Sequence, residues 1–174
     1  MIVCGYAGIG KSYLAKHFPG VIDLESTPFE KDWNRYVKCA KYYSKQGYIV
    51  LVSCHRELRE KLCDPINGAF PEERITIVPA IEDKEVYRER YTSRGNTPEF
   101  IELQMNNWEK WLDRKENRII NEHWIVMEPG ETLYDTFVRL AKKSACYFCS
   151  YDGCPVSDPG KMGCKNPFES YLNK

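Results

Sequence analysis

The sequence lacks a net charge, because its 174 residues include 25 lysines and arginines and 25 aspartates and glutamates. A chain without an excess of one sign has no general electrostatic attraction to nucleic acid or to a membrane surface. It also lacks any apolar run close to the roughly 20 residues that a membrane-spanning helix needs. The balance therefore argues against a membrane protein and does not favour a nucleic-acid partner, although it is compatible with a local basic patch.

We also expect no secretory signal peptide, since residues 1–4 lead directly into a glycine-rich segment. We therefore expect a cytoplasmic protein. Its eight cysteines are then expected to be thiols or metal ligands rather than disulfides. Those that lie in apolar patterns are predicted to be buried thiols: Cys4, Cys39, Cys54 and Cys63.

Strand-like and helix-like patterns alternate along the chain, which predicts an α/β fold with a five-stranded, mainly parallel sheet flanked by helices. This domain is expected to cover residues 1–143, and a Cys-rich C-terminal appendage residues 144–174. Thr27, Pro28 and Glu30 predict the capped start of a helix that ends at Gly47. A further helix is predicted from residue 97 to residue 112. The strands are predicted over residues 2–4, 21–24, 48–53, 74–78 and 124–127.

Residues 5–12, GYAGIGKS, have the spacing G-x-x-x-x-G-K-S between a predicted strand and a predicted helix. Glycines let the backbone curl so that several N–H groups face one anion. An exposed Lys11 is expected on the terminal phosphates of ATP or GTP, and the Ser12 hydroxyl on Mg²⁺. The predicted nucleotide-binding residues are Gly5, Gly8, Ile9, Gly10, Lys11, Ser12 and Tyr13.

Three further features narrow the class of nucleotide-binding protein. No strand ends in the Asp-Glu pair of ATP-driven motors, and the guanine-reading Asn-Lys-x-Asp of GTPases is absent. The inner glycine of the loop resembles that of nucleotide and small-molecule kinases. Arg88, Arg90 and Arg94 form a cluster that can neutralise a phosphoryl group in transfer.

On these residues the chain resembles the P-loop nucleoside and nucleotide monophosphate kinases of the adenylate-kinase and shikimate-kinase type. The resemblance covers about residues 1–143 in layout. It implies that the loop follows the central strand, that an acceptor region covers about residues 23–33 and that an arginine-bearing lid covers about residues 82–98. Asp23 and Glu25 fall where shikimate-kinase-like members place an acidic residue that serves Mg²⁺ or the acceptor hydroxyl. The lid is shorter than that of an adenylate kinase, and the Asp-Gly-x-x-Arg acceptor motif is missing.

Several of these residues also have structural interpretations. Asp23 and Glu25 could simply end a strand. The three arginines could form the solvated face of a helix, paired with Glu85 and Glu89. His55 could be a hydrogen-bonded structural residue rather than a ligand contact. The aromatic residues of the acceptor region could form core or a wall for a base or sugar: Phe29, Trp33 and Tyr36.

The favoured function is a kinase that moves the γ-phosphoryl group of ATP to a small acceptor, a nucleoside or nucleotide. Lys11, Asp23, Arg88, Arg90 and Arg94 are its predicted catalytic residues. One alternative is a kinase that acts on a nucleic-acid end or a modified base. Another is a nucleotide-dependent regulatory module that is not a kinase.

The C-terminal appendage contains four cysteines in a segment rich in Gly, Pro and Ser. Four thiols suffice for a closed tetrahedral zinc site, and the first pair has C-x2-C spacing. Unrelated thiols or a disulfide-linked tail are the alternatives, and the tail could dock a partner protein. The candidate zinc ligands are Cys146, Cys149, Cys154 and Cys164.

Overall fold

Five strands form one sheet in the part of the chain that the computed structural model describes, residues 1–69, 74–117, 119–120 and 122–142. All neighbouring strands run parallel, which confirms the predicted α/β class with a five-stranded sheet. The strands are β1 (Ile2–Gly5), β2 (Val21–Asp23), β3 (Ile49–Ser53), β4 (Arg74–Val78) and β5 (Trp124–Val126). Their order across the sheet is β2-β3-β1-β4-β5, so β1 is the central strand.

Helices connect the strands and cover both faces of the sheet. Short 3₁₀ helices occur at Thr27–Phe29 and Ile81–Asp83. None of the described helices has the length and apolar character that crossing a bilayer requires. The α-helices are α1 (Lys11–His17), α2 (Trp33–Lys45), α3 (Arg56–Leu62), α4 (Lys84–Ser93), α5 (Pro98–Asn106), α6 (Trp108–Leu112), α7 (Arg114–Asn117) and α8 (Leu133–Ala141).

The sheet separates two apolar clusters, because successive strand residues point to opposite faces. On one face, Val3 and Leu51 are buried with side chains from α1, α4, α5, α6 and α8. On the other face, Ile2 and Val50 are buried with side chains from α2 and α3. Since all strands are parallel, the loops that follow β1, β2 and β3 lie together at the carboxyl edge of the sheet.

The predicted helix over residues 27–47 is wrong in its first part. The chain forms a 3₁₀ turn at Thr27–Phe29, without a side-chain cap, and then leaves the helical conformation. Glu30 and Lys31 have φ values of 49° and 67°, in the left-handed region. A new helix, α2, then begins, and its N-cap Asp32 accepts a hydrogen bond from the backbone N–H of Arg35 at 3.0 Å. Within the predicted acceptor region, residues 23–33, the chain therefore turns before α2 begins at Trp33.

The predicted helix over residues 97–112 is correct at its start and interrupted later. Thr97 caps α5 by accepting from the backbone N–H of Phe100, with Pro98 in the first turn. Asn107 then leaves the helical conformation, and α6 begins at Trp108. The Trp108 indole donates to the Ile81 carbonyl at 2.9 Å. This contact joins residues 27 positions apart, so the apolar stripe along the predicted helix does not reveal it.

Candidate functional site

The segment between β1 and α1, residues 5–10, is a tight turn that we call the glycine loop. Gly8 and Gly10 have φ values of 80° and 107°, which side chains other than glycine rarely adopt. A Cβ atom at position 8 would also lie 2.9 Å from Cε1 of Tyr91 and 3.3 Å from Cδ1 of Tyr87. Position 8 therefore requires glycine for two reasons, its backbone conformation and the space around it.

Lys11 folds back over this loop. Its Nζ donates to the Gly5 carbonyl at 2.9 Å and to the Tyr6 carbonyl at 3.0 Å. The side chain is half-buried rather than exposed, which corrects the sequence-based expectation. Burial lowers the pKa of Lys11, and the nearby carboxylate of Asp23 acts in the opposite direction. The two hydrogen bonds therefore hold the Lys11 amino group over the loop.

Ser12 and Asp23 are in direct contact although 11 residues separate them. The Ser12 hydroxyl donates to Oδ2 of Asp23 at 2.6 Å, and Asp23 is the last residue of β2. Hydroxyl and carboxylate oxygens are ligands that suit Mg²⁺, which often takes one or two protein ligands and completes its shell with water and phosphate. Within the described residues no cluster of three or more His, Cys, Asp or Glu side chains could hold a metal. The fit of this pair to Mg²⁺ therefore rests on its donor chemistry.

A cavity of about 210 Å³, called here the first cavity, lies over the glycine loop at the carboxyl edge of the sheet. It brings together members of each predicted group: loop glycines, Lys11 and Ser12, the acidic residues after β2, and one lid arginine. Its lining residues are Gly8, Gly10, Lys11, Ser12, Asp23, Leu24, Glu25, Ser26, Ser53 and Arg94.

Arg94 is the predicted lid arginine that reaches the first cavity. It lies just beyond α4, and Gly95 has a φ of 72°. The N–H of Gly95 donates to the Thr92 carbonyl at 3.0 Å, and the N–H of Asn96 donates to the Tyr91 carbonyl at 3.1 Å. This bond pair is a common helix C-terminal motif. Gly95 therefore ends α4 directly after Arg94, which lines the cavity.

The other two predicted arginines do not line the first cavity. Arg88 forms surface ion pairs with Glu85 at 3.1 Å and with Glu102 at 3.2 Å. The guanidinium of Arg90 lies 4.7 Å from the centroid of the Tyr87 ring. Both arginines therefore have partners within the helical layer.

Two tyrosines that the sequence analysis missed attach α4 to the glycine loop. Tyr87 and Tyr91 are fully buried, and the Tyr91 hydroxyl donates to the Ala7 carbonyl at 3.0 Å. Burial raises the pKa of Tyr87 to about 12, so its hydroxyl is neutral at physiological pH. Their i,i+4 spacing is a sequence signal for one buried helix face. The arginine-bearing segment is thus packed against the loop along that face.

Three predicted nucleotide-binding residues are not among those that line the first cavity: Gly5, Ile9 and Tyr13. Ile9 is buried in the core, and a Cβ at Gly5 would collide with its side chain at 2.8 Å. Tyr13 is exposed on α1, and its ring stacks on His17 at a centroid distance of 4.1 Å. Gly5 and Ile9 therefore shape the loop, and Tyr13 lies on the helix surface.

A second cavity, of about 360 Å³, adjoins the first, and Ser26 lines both. Trp33 is half-buried in its wall, and its ring lies 5.4 Å from that of His55. Tyr36, which is fully buried behind Trp33 at 6.0 Å, donates its hydroxyl to the Leu24 carbonyl. Of the predicted aromatic wall, Trp33 therefore lines a cavity, and Tyr36 is core. The lining residues are Ser26, Thr27, Glu30, Lys31, Trp33, His55 and Glu57.

A third cavity, of about 700 Å³, lies between α2 and the end of α3, and we call it the lysine groove. Lys41 donates to the carbonyls of Asn67 and Gly68 and so supports the groove wall. Tyr42, with 61% of its surface exposed, lines the groove. Asp64 is the one acidic residue among the described residues that line it. Its lysines are Lys38, Lys41, Lys45 and Lys61.

The cysteines of the described residues are free thiols. Cys4 is buried, whereas Cys39, Cys54 and Cys63 are only partly buried, which corrects part of the prediction. Burial raises the pKa of Cys54 to about 11, so this thiol stays protonated near neutral pH. The four predicted zinc ligands lie outside the described residues and remain a prediction: Cys146, Cys149, Cys154 and Cys164.

Comparison with known proteins gave no family model that matches the chain and no curated protein sequence that matches it.

Proposed function

We propose that this chain is a P-loop kinase that transfers the γ-phosphoryl group of ATP to a small acceptor, a nucleoside or nucleotide. The observation that carries the proposal is the 2.6 Å contact between Ser12 and Asp23 in the same cavity as Lys11 and Arg94. A cation, a metal-ligand pair and a guanidinium thus surround one space above a glycine loop. A phosphoryl-transfer site requires this set of charges.

Each residue has a role that follows from its position. The glycine loop and Lys11 would bind the β- and γ-phosphates, and Ser12 and Asp23 would hold Mg²⁺. Mg²⁺, when bound, would neutralise charge on the phosphate oxygens. Arg94 offers permanently charged, planar donors to the oxygens of the moving group. A cytoplasmic location is part of this proposal.

The transfer step proceeds from the acceptor hydroxyl. Its oxygen forms a bond to the γ-phosphorus while the bond from that phosphorus to the bridging oxygen breaks, which releases ADP. The hydroxyl proton passes to a carboxylate. We assign this proton to Glu25, because Asp23 already accepts from Ser12. Asp23 as the base is the alternative assignment.

Nucleotide binding is tested first. MgATP at millimolar concentration should raise the melting temperature of the parent protein, since a ligand that binds only the folded state stabilises it. Lys11→Ala should reduce this shift and abolish acceptor-dependent ADP release while the circular dichroism spectrum stays unchanged. An unchanged melting temperature of the parent would contradict the proposal. ADP release that does not depend on any acceptor would instead favour the regulatory module.

The two carboxylates give distinguishable variants. Asp23→Asn should raise the Mg²⁺ concentration required for half-maximal turnover, whereas Glu25→Gln should lower kcat with an unchanged Mg²⁺ requirement. If Asp23→Asn retained parental turnover and Mg²⁺ dependence, Asp23 would have only a structural role.

The arginines offer a matched comparison within one helical segment. Arg94→Ala should lower kcat by about 10³-fold if its guanidinium stabilises the transition state. Arg88→Ala removes surface ion pairs, which are worth under about 1 kcal/mol, and should leave kcat within about twofold. Equal effects of the two substitutions would remove the special role of Arg94. The predicted roles of Arg88 and Arg90 would gain support only if their variants also lost turnover.

The lysine groove favours one second candidate, a kinase that acts on a nucleic-acid end. Phosphates of a strand can contact its lysines, and a base can stack on exposed Tyr42. Trp33 lines the second cavity and Asn34, the next residue, lines the groove, so a strand in the groove would end near the second cavity.

An oligonucleotide with a free 5′-hydroxyl distinguishes the two candidates. If the second candidate is correct, it should be a better acceptor than the matching nucleoside, and replacing Lys38, Lys45 and Lys61 by Gln should remove that advantage. The advantage should also fall with added salt. Equal or better turnover of the nucleoside, with no effect of the three substitutions, would reject it.

A further inference from the structure

The second cavity has a chemistry that discriminates between the two acceptor classes of the proposed function. It shares Ser26 with the first cavity, so a molecule bound there lies next to the phosphates. The part of the inference that concerns the reaction rests on the proposed function. The part that concerns binding does not, because the cavity is present in the folded chain without nucleotide.

One wall of the cavity is aromatic and fixed. The half-buried Trp33 ring is backed by the buried Tyr36, whose hydroxyl links the Leu24 carbonyl to the backbone N–H of Ser53. The exposed ring of His55 lies 5.4 Å from Trp33 at an interplanar angle of 37°. A planar heterocycle can stack on such a wall at little entropic cost, because the ring is already held in place. The volume of about 360 Å³ is in the range of ordinary small-molecule sites.

The other walls carry more negative than positive charge. Glu30 and Glu57 line the cavity, and among its described lining residues Lys31 is the one lysine or arginine. A bound phosphomonoester would carry nearly two negative charges and would be repelled by both carboxylates. Recognition of such a group commonly uses the forked donors of arginine, and no arginine lines this cavity in the part of the chain that the structure describes. Carboxylates instead accept hydrogen bonds from hydroxyl groups.

The charged residues are held there by an unusual backbone. Glu30 and Lys31 both have φ in the left-handed region, at 49° and 67°. Residues other than glycine rarely adopt such conformations, which often occur at functional sites. Asp32, which caps α2, follows directly and fixes the end of this turn. The turn therefore holds a carboxylate and an ammonium group side by side at the cavity wall.

We infer that the second cavity binds an acceptor with a planar ring and free hydroxyl groups and without a phosphate, that is, a nucleoside rather than a nucleoside monophosphate. The ring stacks on Trp33, and the sugar hydroxyls donate to Glu30 or Glu57. The hydroxyl that receives the phosphoryl group points past Ser26 to the first cavity. In the transfer, that hydroxyl oxygen bonds to the γ-phosphorus, its proton passes to Glu25, and ADP leaves.

Calorimetric titration of the unmodified full chain without ATP tests this directly. A set of nucleosides and their 5′-monophosphates is titrated at constant ionic strength. At least one nucleoside should bind about 10-fold or more tightly than its own monophosphate. A monophosphate that binds as tightly as its nucleoside, or no binding by either class, overturns the inference.

Variants then assign the binding to this cavity. Trp33→Ala should weaken nucleoside binding by about 10-fold or more, since stacking of a base on an aromatic side chain is worth that much. Tyr48→Ala is the matched aromatic control, because Tyr48 precedes β3 at the opposite edge of the sheet, and it should leave binding unchanged. Equal binding by parent and Trp33→Ala overturns the assignment.

A charge variant provides the second arm. Replacing both Glu30 and Glu57 by Gln keeps an acceptor oxygen at each position and removes the repulsion. It should raise monophosphate affinity by about 10-fold while nucleoside affinity stays within about threefold. An unchanged ratio of the two affinities overturns the charge argument.

The failure of this inference can be distinguished from the failure of the kinase proposal. Nucleoside binding by a chain that gives no MgATP-induced thermal shift would support this inference and reject the kinase proposal.

Discussion

Gly8→Ala tests whether the glycine loop and α4 form one packed unit. In the native structure Gly8 has a φ of 80°, and the rings of Tyr87 and Tyr91 occupy the space that a Cβ at this position would need. An alanine must therefore adopt an unfavourable backbone conformation and also displace two aromatic rings. Both rings are fully buried, so neither can move away without disturbing the core.

The two costs can be estimated separately. A non-glycine residue in the left-handed region costs roughly 1–2 kcal/mol. An extra methyl group in a filled core typically lowers the free energy of unfolding by roughly a further 1–3 kcal/mol. Gly8→Ala should therefore lower the free energy of unfolding by about 2–5 kcal/mol, a large part of the ~5–15 kcal/mol of a typical domain.

Gly20→Ala is the matched control for the conformational cost alone. Gly20 has a φ of 90°, and a Cβ there would have no neighbour within 4 Å. Its substitution should cost roughly 1–2 kcal/mol. Urea unfolding of the parent and both variants, with m-values compared, gives the difference between the two substitutions.

A double-mutant cycle with Tyr91→Leu then locates the steric part. The Leu side chain lacks the Cε1 atom that an alanine Cβ would meet at 2.9 Å, so the excess cost of Gly8→Ala should fall in this background. If Gly8→Ala and Gly20→Ala destabilise by amounts within about 0.5 kcal/mol of each other, the packing between loop and α4 is not tight, and this reasoning is refuted.

Three further predictions concern other parts of the chain. Glu122→Gln should lower the free energy of unfolding by about 3–5 kcal/mol, because it breaks the ion pair with Arg59, in which both side chains are 4% exposed; a loss under about 1 kcal/mol in urea unfolding would contradict this. Hydrogen bonds from the Thr132 hydroxyl and N–H lower the pKa of Asp135, so its stabilisation is complete above the unfolded pKa of about 4 and is lost as the pH falls through the lower folded value. The parent should therefore lose more stability than Asp135→Asn between about pH 5 and pH 2, and parallel pH profiles of the two proteins would reject the effect. The four cysteines of residues 146–164 should bind about one zinc ion per chain; elemental analysis that finds no zinc, with four titratable thiols in that segment, would reject the site.

The sequence by itself determined the fold class and the glycine loop. The alternation of strand and helix patterns sufficed for a parallel sheet, because buried parallel strands have continuous apolar runs such as that of β3. The motif spacing also predicted a tight turn between β1 and α1, because a short connection between a strand and a helix has few conformations. The residues that define this spacing are Gly5, Gly10, Lys11 and Ser12.

The tertiary structure decided which distant residues join that loop. The three arginines of the predicted lid were equivalent in the sequence-based prediction. In the structure, Arg94 follows the last residue of α4 and lines the first cavity, whereas Arg88 lies within α4 and pairs with glutamates. Likewise, local propensity favoured a helix from residue 27. The chain instead turns at Glu30 and Lys31, and Trp33 comes to lie beside His55. Contacts between residues far apart in sequence leave no periodic signal, so the geometry of the second cavity emerges only once β2 and β3 are paired.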